Sequence, residues 1–250
     1  MKSKITTEVH THTIASSHAY STVHEMITEC ARKGIELLAI TDHGPALNND
    51  GAHYWHFYNL KSIPRKVNGV YVIRGAEVNL LDFNAKVDLE DAILRKLDWV
   101  IASVHNPCLD AGTVEDHTNM YIKALENPLI DALGHSGTPD FSYDIDAVLE
   151  TAKRLDKVIE LNNHSYSTRP KSAENCKKIA RRCAELGVWV SISTDSHSMY
   201  ELGDTERVWE MAMEAGIKEE QIVNLTAERF LAYLCRRKGF DRAIFENTGF

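Results

Sequence analysis

The segment IELLAITDH, residues 35–43, is the stretch that most directly indicates the fold of this chain. Its first six residues are almost all apolar, which is typical of a parallel strand that is buried on both faces. The run ends in Asp42 and His43, so a histidine follows a buried strand almost directly. In parallel α/β folds the active site lies at this carboxyl end of the strands. The same order of apolar run and polar residue recurs along the chain.

Seven short apolar runs are predicted strands, and helical patterns separate them. The strands are Ile5–Val9, Ile35–Thr41, Val70–Ala76, Trp99–Val104, Leu129–Gly134, Val158–Leu161 and Val188–Ser193. The helices are Thr22–Lys33, Asp88–Lys96, Glu115–Glu126, Ile145–Leu155, Ser172–Leu186, Thr205–Ala215 and Ala227–Lys238. This alternation favours right-handed βαβ units and a parallel sheet. No linker or change of composition interrupts it, so we predict one α/β domain over residues 1–250. The loop 44–67 is long and is expected to carry a short helix over the pocket.

The composition excludes several classes of protein. The chain has 250 residues and a formal charge of −8, from 28 basic and 36 acidic residues. This balance argues against a broad interface for nucleic acid or for an anionic membrane. No apolar run approaches the length of a membrane span, and the five cysteines form no CxxC pair. We therefore expect a cytoplasmic protein without membrane contact.

Potential metal ligands stand near the ends of six of the seven predicted strands. The candidates are His10, His12, His18, His43, Glu77, His105, His135, Asp195 and His197. In a parallel barrel the carboxyl ends of all strands share one face, so residues far apart in the chain can become neighbours there. A catalytic zinc ion usually takes three protein ligands. Nine candidates therefore indicate a site for several metal ions, and with it metal-assisted hydrolysis.

The spacing within two of these groups supports the same interpretation. His10 and His12 are two residues apart, as are Asp195 and His197. In extended chain, residues two apart point to the same side, so both members of a pair can face one ion. Imidazole combined with carboxylate suits zinc, iron or manganese, and the absence of thiols argues against a closed structural zinc site. A lone histidine after a strand would more often be an ordinary loop residue. The prediction rests on the recurrence of such residues after six of the seven predicted strands.

Four motifs resemble those of the PHP (polymerase and histidinol phosphatase) family of metal-dependent phosphoesterases. They are HTH at 10–12, HAYS at 18–21, ITDHG at 40–44 and STDSH at 193–197. The match is nearest to the small bacterial YcdX-like phosphatases and extends over nearly the whole chain. The resemblance implies a distorted seven-stranded (βα)7 TIM-like barrel with a trinuclear metal site. One departure is Glu8, where the family usually has Asp; its longer side chain is expected to orient an imidazole as an outer partner.

The resemblance also implies how the ligands are shared among three divalent transition-metal ions. The first ion would be held by His10, His12, Glu77 and Asp195, the second by Glu77, His105 and His135, and the third by His18, His43 and His197. Zinc is the first choice, with manganese or iron as alternatives. With seven neutral imidazoles and two carboxylates, three such ions leave the pocket at roughly +4, which suits an anionic phosphate.

The predicted function is that of a metal-dependent phosphoric-ester hydrolase, in the first place a phosphomonoesterase acting on a small molecule. A hydroxide formed at the metal ions is the expected nucleophile, and no side chain is assigned that role. His164 and Arg169 lie after the sixth predicted strand and are candidate substrate contacts, although a loop-stabilising histidine and a solvated arginine are the competing interpretations. The alternatives are a phosphodiesterase or nuclease, a histidinol-phosphate phosphatase, a non-phosphate amidohydrolase and a non-catalytic metal-binding protein. A homo-oligomer is compatible with the sequence.

Overall fold

The fold is built on one sheet that curves into a barrel. The computed structural model describes residues 2–47 and 49–246. The strands in this part of the chain are β1 (Thr7–Glu8), β2 (Leu37–Ile40), β3 (Lys66–Val67), β4 (Val70–Asn79), β5 (Trp99–Ser103), β6 (Ala132–Leu133), β7 (Val158–Asn162) and β8 (Trp189–Ser193). Their order is β1-β2-β4-β5-β6-β7-β8, all parallel, and β3 pairs antiparallel with β4.

Helices connect the strands. They are α1 (Val23–Lys33), α2 (Tyr54–Asn59), α3 (Asp91–Leu94), α4 (Val114–Glu126), α5 (Ile145–Arg154), α6 (Ala173–Leu186), α7 (Glu206–Glu214) and α8 (Ala227–Lys238). Short 3-10 helices cover Leu60–Ser62, Pro139–Phe141, Asn163–Ser165, Pro170–Ser172, Glu219–Gln221 and Arg242–Phe245. Helix α1 begins with the predicted capping box of Thr22 and Glu25 and ends at Gly34 in the left-handed conformation, with φ 74°. None of the helices described is both long and apolar enough to cross a membrane.

The side chains of the strands divide the apolar core into two parts. Leu38 and Ile40 face outward to the surrounding helices, whereas Leu37 and Ala39 face the interior of the barrel. Helix α8 packs against the first residues of several strands, and the ring of Phe230 meets that of Trp99 edge to face at 5.1 Å. The amino-terminal end of the barrel is therefore filled with apolar side chains. The carboxyl end is left for polar residues.

The barrel closes through a seam between β1 and β8, which do not pair along their length. Beyond the ends of these strands, Thr11 and Ser196 form one parallel bridge, and the N–H of His12 donates to the Ser196 carbonyl at 2.8 Å. Below the bridge, the side chain of Asn224 bonds both the N–H and the carbonyl of Ile192, at 2.9 and 2.7 Å. A non-strand segment thus fills the lower seam. The prediction of a distorted seven-stranded barrel is confirmed, and the distortion lies at this seam.

Several predicted bounds were wrong. The third predicted strand is longer than expected, because the second half of β4 pairs with β5 as far as Asn79 and Ser103. Glu77 therefore lies within a strand and not after one. An eighth strand, β3, was missed although Asn68 and Gly69 carry a strong hairpin signal; both have positive φ, 51° and 83°. The predicted short helix in the loop 44–67 is α2, and Asn48 of that loop lies outside the described residues.

Candidate metal centre

The structure brings the nine predicted ligands together at the carboxyl end of the barrel. Glu77 lies at their centre, because its backbone in β4 forms a parallel bridge with the backbone of His43, just after β2. The side chain of Glu77 is fully buried, and that of His18 at the rim is 53% exposed. The strand ends position the remaining seven, as expected for a parallel barrel.

Glu77 faces five imidazoles with its two carboxylate oxygens. Oε1 lies 2.8 Å from Nε2 of His135 and 3.6 Å from Nε2 of His105. Oε2 lies 2.7 Å from Nδ1 of His43, 3.4 Å from Nε2 of His10 and 3.6 Å from Nε2 of His12. One carboxylate thus stands between two groups of histidines. Such a position suits a bridging ligand.

Asp195 lies beside His10 and His12, in the group that faces Oε2 of Glu77. Its Oδ1 lies 2.9 Å from Nε2 of His12 and 3.5 Å from Nε2 of His10. Its Oδ2 points the other way and accepts hydrogen bonds from Arg169 at 2.6 Å and from Asn162 at 3.2 Å. The backbone of Asp195 has φ 60°, a strained value for a residue with a Cβ. The surrounding contacts therefore hold this carboxylate in an unusual orientation.

A third group of imidazoles lies nearer the rim. The ring centroids of His18 and His197 are 4.3 Å apart, and those of His18 and His43 are 5.3 Å apart. Nδ1 of His18 is held by Asp50 at 2.6 Å, and Nδ1 of His197 bonds the main-chain carbonyl of Asp195 at 2.8 Å. These contacts leave the other ring nitrogens of His18 and His197 on the side of the shared space.

The donor set fits metal ions on the basis of its unpartnered atoms. Four buried atoms that face the shared space have no hydrogen-bond partner: His10 Nε2, His43 Nδ1, Glu77 Oε2 and His197 Nε2. The 2.7 Å approach of His43 to Glu77 lacks the direction of a hydrogen bond. Buried polar atoms without partners cost free energy, so a group of them is unusual unless a ligand completes them. Imidazole and carboxylate are ligands of divalent transition metals, and three of the compact groups are His10–His12–Glu77, His43–Glu77–His105 and His12–His43–His197.

Burial keeps several of the imidazoles neutral. It lowers the pKa of His12 to about 3, with a further contribution from the charge of His43. Burial also lowers the pKa of His105 and of His197, against the opposing effect of the nearby carboxylates. A neutral imidazole has a free lone pair, which is the form that binds a metal. These three side chains are therefore ready to act as ligands at neutral pH.

The carboxylates of the site are held in their charged form. Burial acts to raise the pKa of Glu77, but the neighbouring histidines, His10 first, outweigh it and the pKa lies well below its usual range. The pKa of Asp195 is lowered in the same way, with Arg169 contributing after His10 and His12. The pKa of His10 is raised, because the nearby carboxylates outweigh the effect of its burial. A proton on His10 would have to leave when a metal binds.

Three outer partners of the ligands were missed by the sequence analysis. Asp50 holds His18, Asn79 bonds Nδ1 of His105 at 2.7 Å, and Glu160 bonds Nδ1 of His10 at 2.6 Å. The one available signal was Glu160 itself, a carboxylate in the middle of an apolar strand. Such partners fix the orientation of a ligating imidazole.

The expected role of Glu8 was wrong. Its carboxylate accepts from the hydroxyl of Thr194 at 2.8 Å and from the N–H of Gly203 at 2.6 Å. The side chain points toward the loop after β8, so it fixes main chain and orients no imidazole. Burial raises the pKa of Glu8 to about 7. The partner of the first imidazole is Glu160 instead.

A cavity of about 560 Å³ opens over the rim group and contains both candidate substrate contacts. Its walls include the apolar side chains of Leu47, Val104 and Pro107, and His164 and Arg169 line it beside Asp195. His164 lies in a 3-10 helix, with Nδ1 3.7 Å from Asp195 Oδ2. The volume of this cavity is in the range of small-molecule sites.

The sequence matches one protein family and a set of named relatives. Residues 8–164 match the family described as PHP domain, a range that stops short of Asp195 and His197. A protein of Acetivibrio thermocellus named "Probable phosphatase" is 45% identical over 236 residues, which is 94% of this chain and 97% of that protein.

Two solved structures share the fold at low sequence identity. The histidinol phosphate phosphatase of Lactococcus lactis, solved with zinc, L-histidinol and phosphate, has a TM-score of 0.56 at 15% identity, covering 85% of this chain and 94% of that one. A putative histidinol phosphatase of Listeria monocytogenes has a TM-score of 0.58 at 16% identity, covering 79% and 97%. At such identities the likeness concerns the barrel alone.

Proposed function

The chain belongs to the PHP domain family, and from that premise we propose that it hydrolyses phosphate monoesters of small molecules with a three-metal centre. The predictions of the family and of a metal-dependent phosphatase are confirmed. The trinuclear centre and the class of substrate are our proposal. One observation carries it: a set of buried, unpartnered ligand atoms around Glu77 opens directly into a cavity of small-molecule size.

The three groups of ligands are assigned to three ions. We assign the first to His10, His12, Glu77 and Asp195, the second to Glu77, His105 and His135, and the third to His18, His43 and His197. Oε2 of Glu77 faces His10 and His12 and Oε1 faces His105 and His135, which supports its bridging position between the first two. Divalent ions bound there would polarise phosphate oxygens and lower the pKa of water.

The other side chains of the pocket bind and orient the substrate. Arg169 uses Nη2 to contact Asp195 and its Nε is buried, which leaves the two N–H groups of Nη1 for a phosphate group. This contact also holds Asp195 with Oδ1 toward His12. The apolar walls formed by Leu47, Val104 and Pro107 reduce the water around the bound ester.

A small monoester fits the site better than a polynucleotide does. The cavity of about 560 Å³ has room for a small molecule, and the net charge of −8 disfavours a long anionic polymer. Histidinol phosphate is a second candidate, because the zinc-containing neighbour with this barrel was solved with L-histidinol and phosphate. At 15% identity, that neighbour does not decide the substrate of this chain.

The test is a panel of phosphoesters with the metal-loaded protein. Zinc, manganese and iron are added separately, and the metal content is measured by elemental mass spectrometry. The panel contains 4-nitrophenyl phosphate, bis(4-nitrophenyl) phosphate, sugar phosphates, histidinol phosphate and single-stranded DNA. We expect about three ions per chain and hydrolysis of monoesters well above that of the diester. A metal-loaded protein that hydrolyses only diesters, or nothing, would overturn the proposal.

A further inference from the structure

Glu160 stands behind the candidate metal centre and contacts two of its ligand groups at once. Its side chain is buried in the middle of β7. Oε1 accepts from Nδ1 of His10 at 2.6 Å and from the hydroxyl of Ser193. Oε2 accepts from the main-chain N–H of His135 at 2.7 Å and from the side-chain amide of Asn162 at 3.1 Å. One oxygen thus serves the first ligand group and the other serves the second.

We propose that Glu160 is a positioning residue that couples the first two metal sites, because it fixes the ring of His10 and the backbone of His135 together. The proposal rests on the three-metal centre of the proposed function. It concerns an outer residue that neither the sequence motifs nor the comparisons point to. Its consequence is that the two sites fill and empty together, while the third is independent of Glu160.

The first half of the coupling is the ring of His10. A carboxylate can only accept, so Nδ1 of His10 carries the proton in this contact. The second ring nitrogen, Nε2, then presents its lone pair toward Glu77 and Asp195, at 3.4 and 3.5 Å. Outer carboxylates of this kind fix both the tautomer and the orientation of a ligating histidine.

The second half is the backbone of His135. This residue has φ 26°, which is costly for a side chain with a Cβ and needs support from its surroundings. The hydrogen bond from its N–H to Glu160 supplies that support. Gly134, the residue before it, packs closely on β5: a Cβ there would lie 2.2 Å from the hydroxyl oxygen of Ser103 and 2.8 Å from Cγ2 of Ile101.

A nearby buried carboxylate shows what a purely structural role looks like. Asp131, just before β6, is buried like Glu160, but it pairs with Lys238 at 2.8 Å and with the N–H of Val100. It lies at the filled, amino-terminal end of the barrel. Asp131 is therefore a matched control: the same change of carboxylate to amide in it should affect stability without affecting metal binding.

The experiment compares Glu160→Gln with Asp131→Asn and with Asp50→Asn, which removes the charge that holds His18 at the third site. Each zinc-loaded protein is dialysed against a graded series of chelator concentrations, and zinc per chain is measured by elemental mass spectrometry. Folding is checked by circular dichroism. For Glu160→Gln we expect two ions to be lost together at about 10- to 100-fold lower chelator strength than in wild type, with the third retained. For Asp50→Asn we expect the third to be lost first.

Two results would overturn the coupling. One is a Glu160→Gln protein that keeps all its ions at the same chelator concentrations as wild type. Lower stability alone would not support the coupling, because Asp131→Asn is expected to lose stability and keep its ions. The other is the loss of one ion alone. If Glu160→Gln does not fold, Ser193→Ala provides the second test; it removes one donor to Glu160 and should weaken the same two sites to a smaller degree, and unchanged release would overturn the proposal. None of these measurements involves hydrolysis, so they are separate from a failure of the phosphatase assignment.

Discussion

Replacing Arg169 by Met tests the contact between this chain and the phosphate group. Methionine keeps much of the length of the side chain and removes all five N–H donors. In the structure, Nη2 of Arg169 is 2.6 Å from Oδ2 of Asp195, and the side chain is 28% exposed to the cavity. Asp195 keeps a second donor, Asn162 at 3.2 Å, so the variant should leave the carboxylate in place.

The expected loss follows from the number of hydrogen bonds. A guanidinium that grips phosphate with two N–H groups makes two charge-assisted bonds, each worth about 1.5–3 kcal/mol. Partial exposure of Arg169 to water puts the sum at the lower end, about 3–4 kcal/mol. Since each 1.36 kcal/mol is tenfold in rate, kcat/KM should fall by roughly 100- to 1000-fold. Arg169→Lys keeps the charge but not the fork, and should recover about tenfold of this loss.

The assay is the steady-state hydrolysis of 4-nitrophenyl phosphate, with metal content measured on the same samples. Arg207→Met is the control, because Arg207 lies over the ring of Tyr166 at 4.8 Å and does not line the cavity. We expect this control to stay within about twofold of wild type. A metal-loaded Arg169→Met enzyme with kcat/KM within about threefold of wild type would refute the phosphate contact. Loss of metal together with activity would show instead that Arg169 acts through Asp195.

Three further predictions concern the metal centre and the core. Asp195→Asn and His43→Ala should each lower kcat by at least about 100-fold in a protein that still unfolds cooperatively, and near wild-type rates would contradict their assignment as ligands. Chelation should lower the melting temperature by about 5–10 °C per ion lost, because a metal ion at a free concentration of 100 times its Kd stabilises the folded chain by about 2.7 kcal/mol. Adding zinc back should restore the melting temperature. Burial lowers the pKa of Lys157 to about 7 in the folded chain. In the unfolded chain this pKa is about 10.4, so between about pH 7 and 10 the unfolded chain binds a proton that the folded chain does not. Stability therefore rises with pH over this range. Wild type should therefore gain about 2 kcal/mol between pH 7 and 9 relative to Lys157→Met in urea unfolding, and equal pH dependence would contradict the shift.

The predicted ligands could be found in the sequence because strand and site are linked in a parallel barrel. A buried strand appears as an apolar run, and the first polar residues after it lie at one face of the sheet. His43, His105 and His135 were placed by this argument alone. Glu77 was expected after its strand but lies within it, because the sequence of β4 does not show that the strand continues past Ala76 to pair with β5 as far as Asn79.

The residues that the sequence analysis missed act across strands. Glu160 contacts His10, which is 150 positions away; a carboxylate within an apolar strand stands out in the sequence, but the sequence does not show which residue it contacts. Asp50 lies in a loop whose path depends on the site that it supports. For Glu8 the error was of the opposite kind. Glu8 is close to His10 in sequence and was expected to orient an imidazole, but its side chain in β1 points to the loop after β8 and accepts a hydrogen bond from Gly203.

The seam of the barrel bears on how this protein is made. His12 and Ser196 meet there, and the ligand pairs HTH and DSH lie on its two sides. During synthesis, no partial chain shorter than about 200 residues contains both sides, and the exit tunnel of the ribosome delays their meeting further. The nascent protein is therefore expected to lack a complete metal centre until the segment after β8, with Asp195 and His197, has emerged. Circular permutants that open the chain elsewhere and join its ends would change this order of assembly while keeping every ligand.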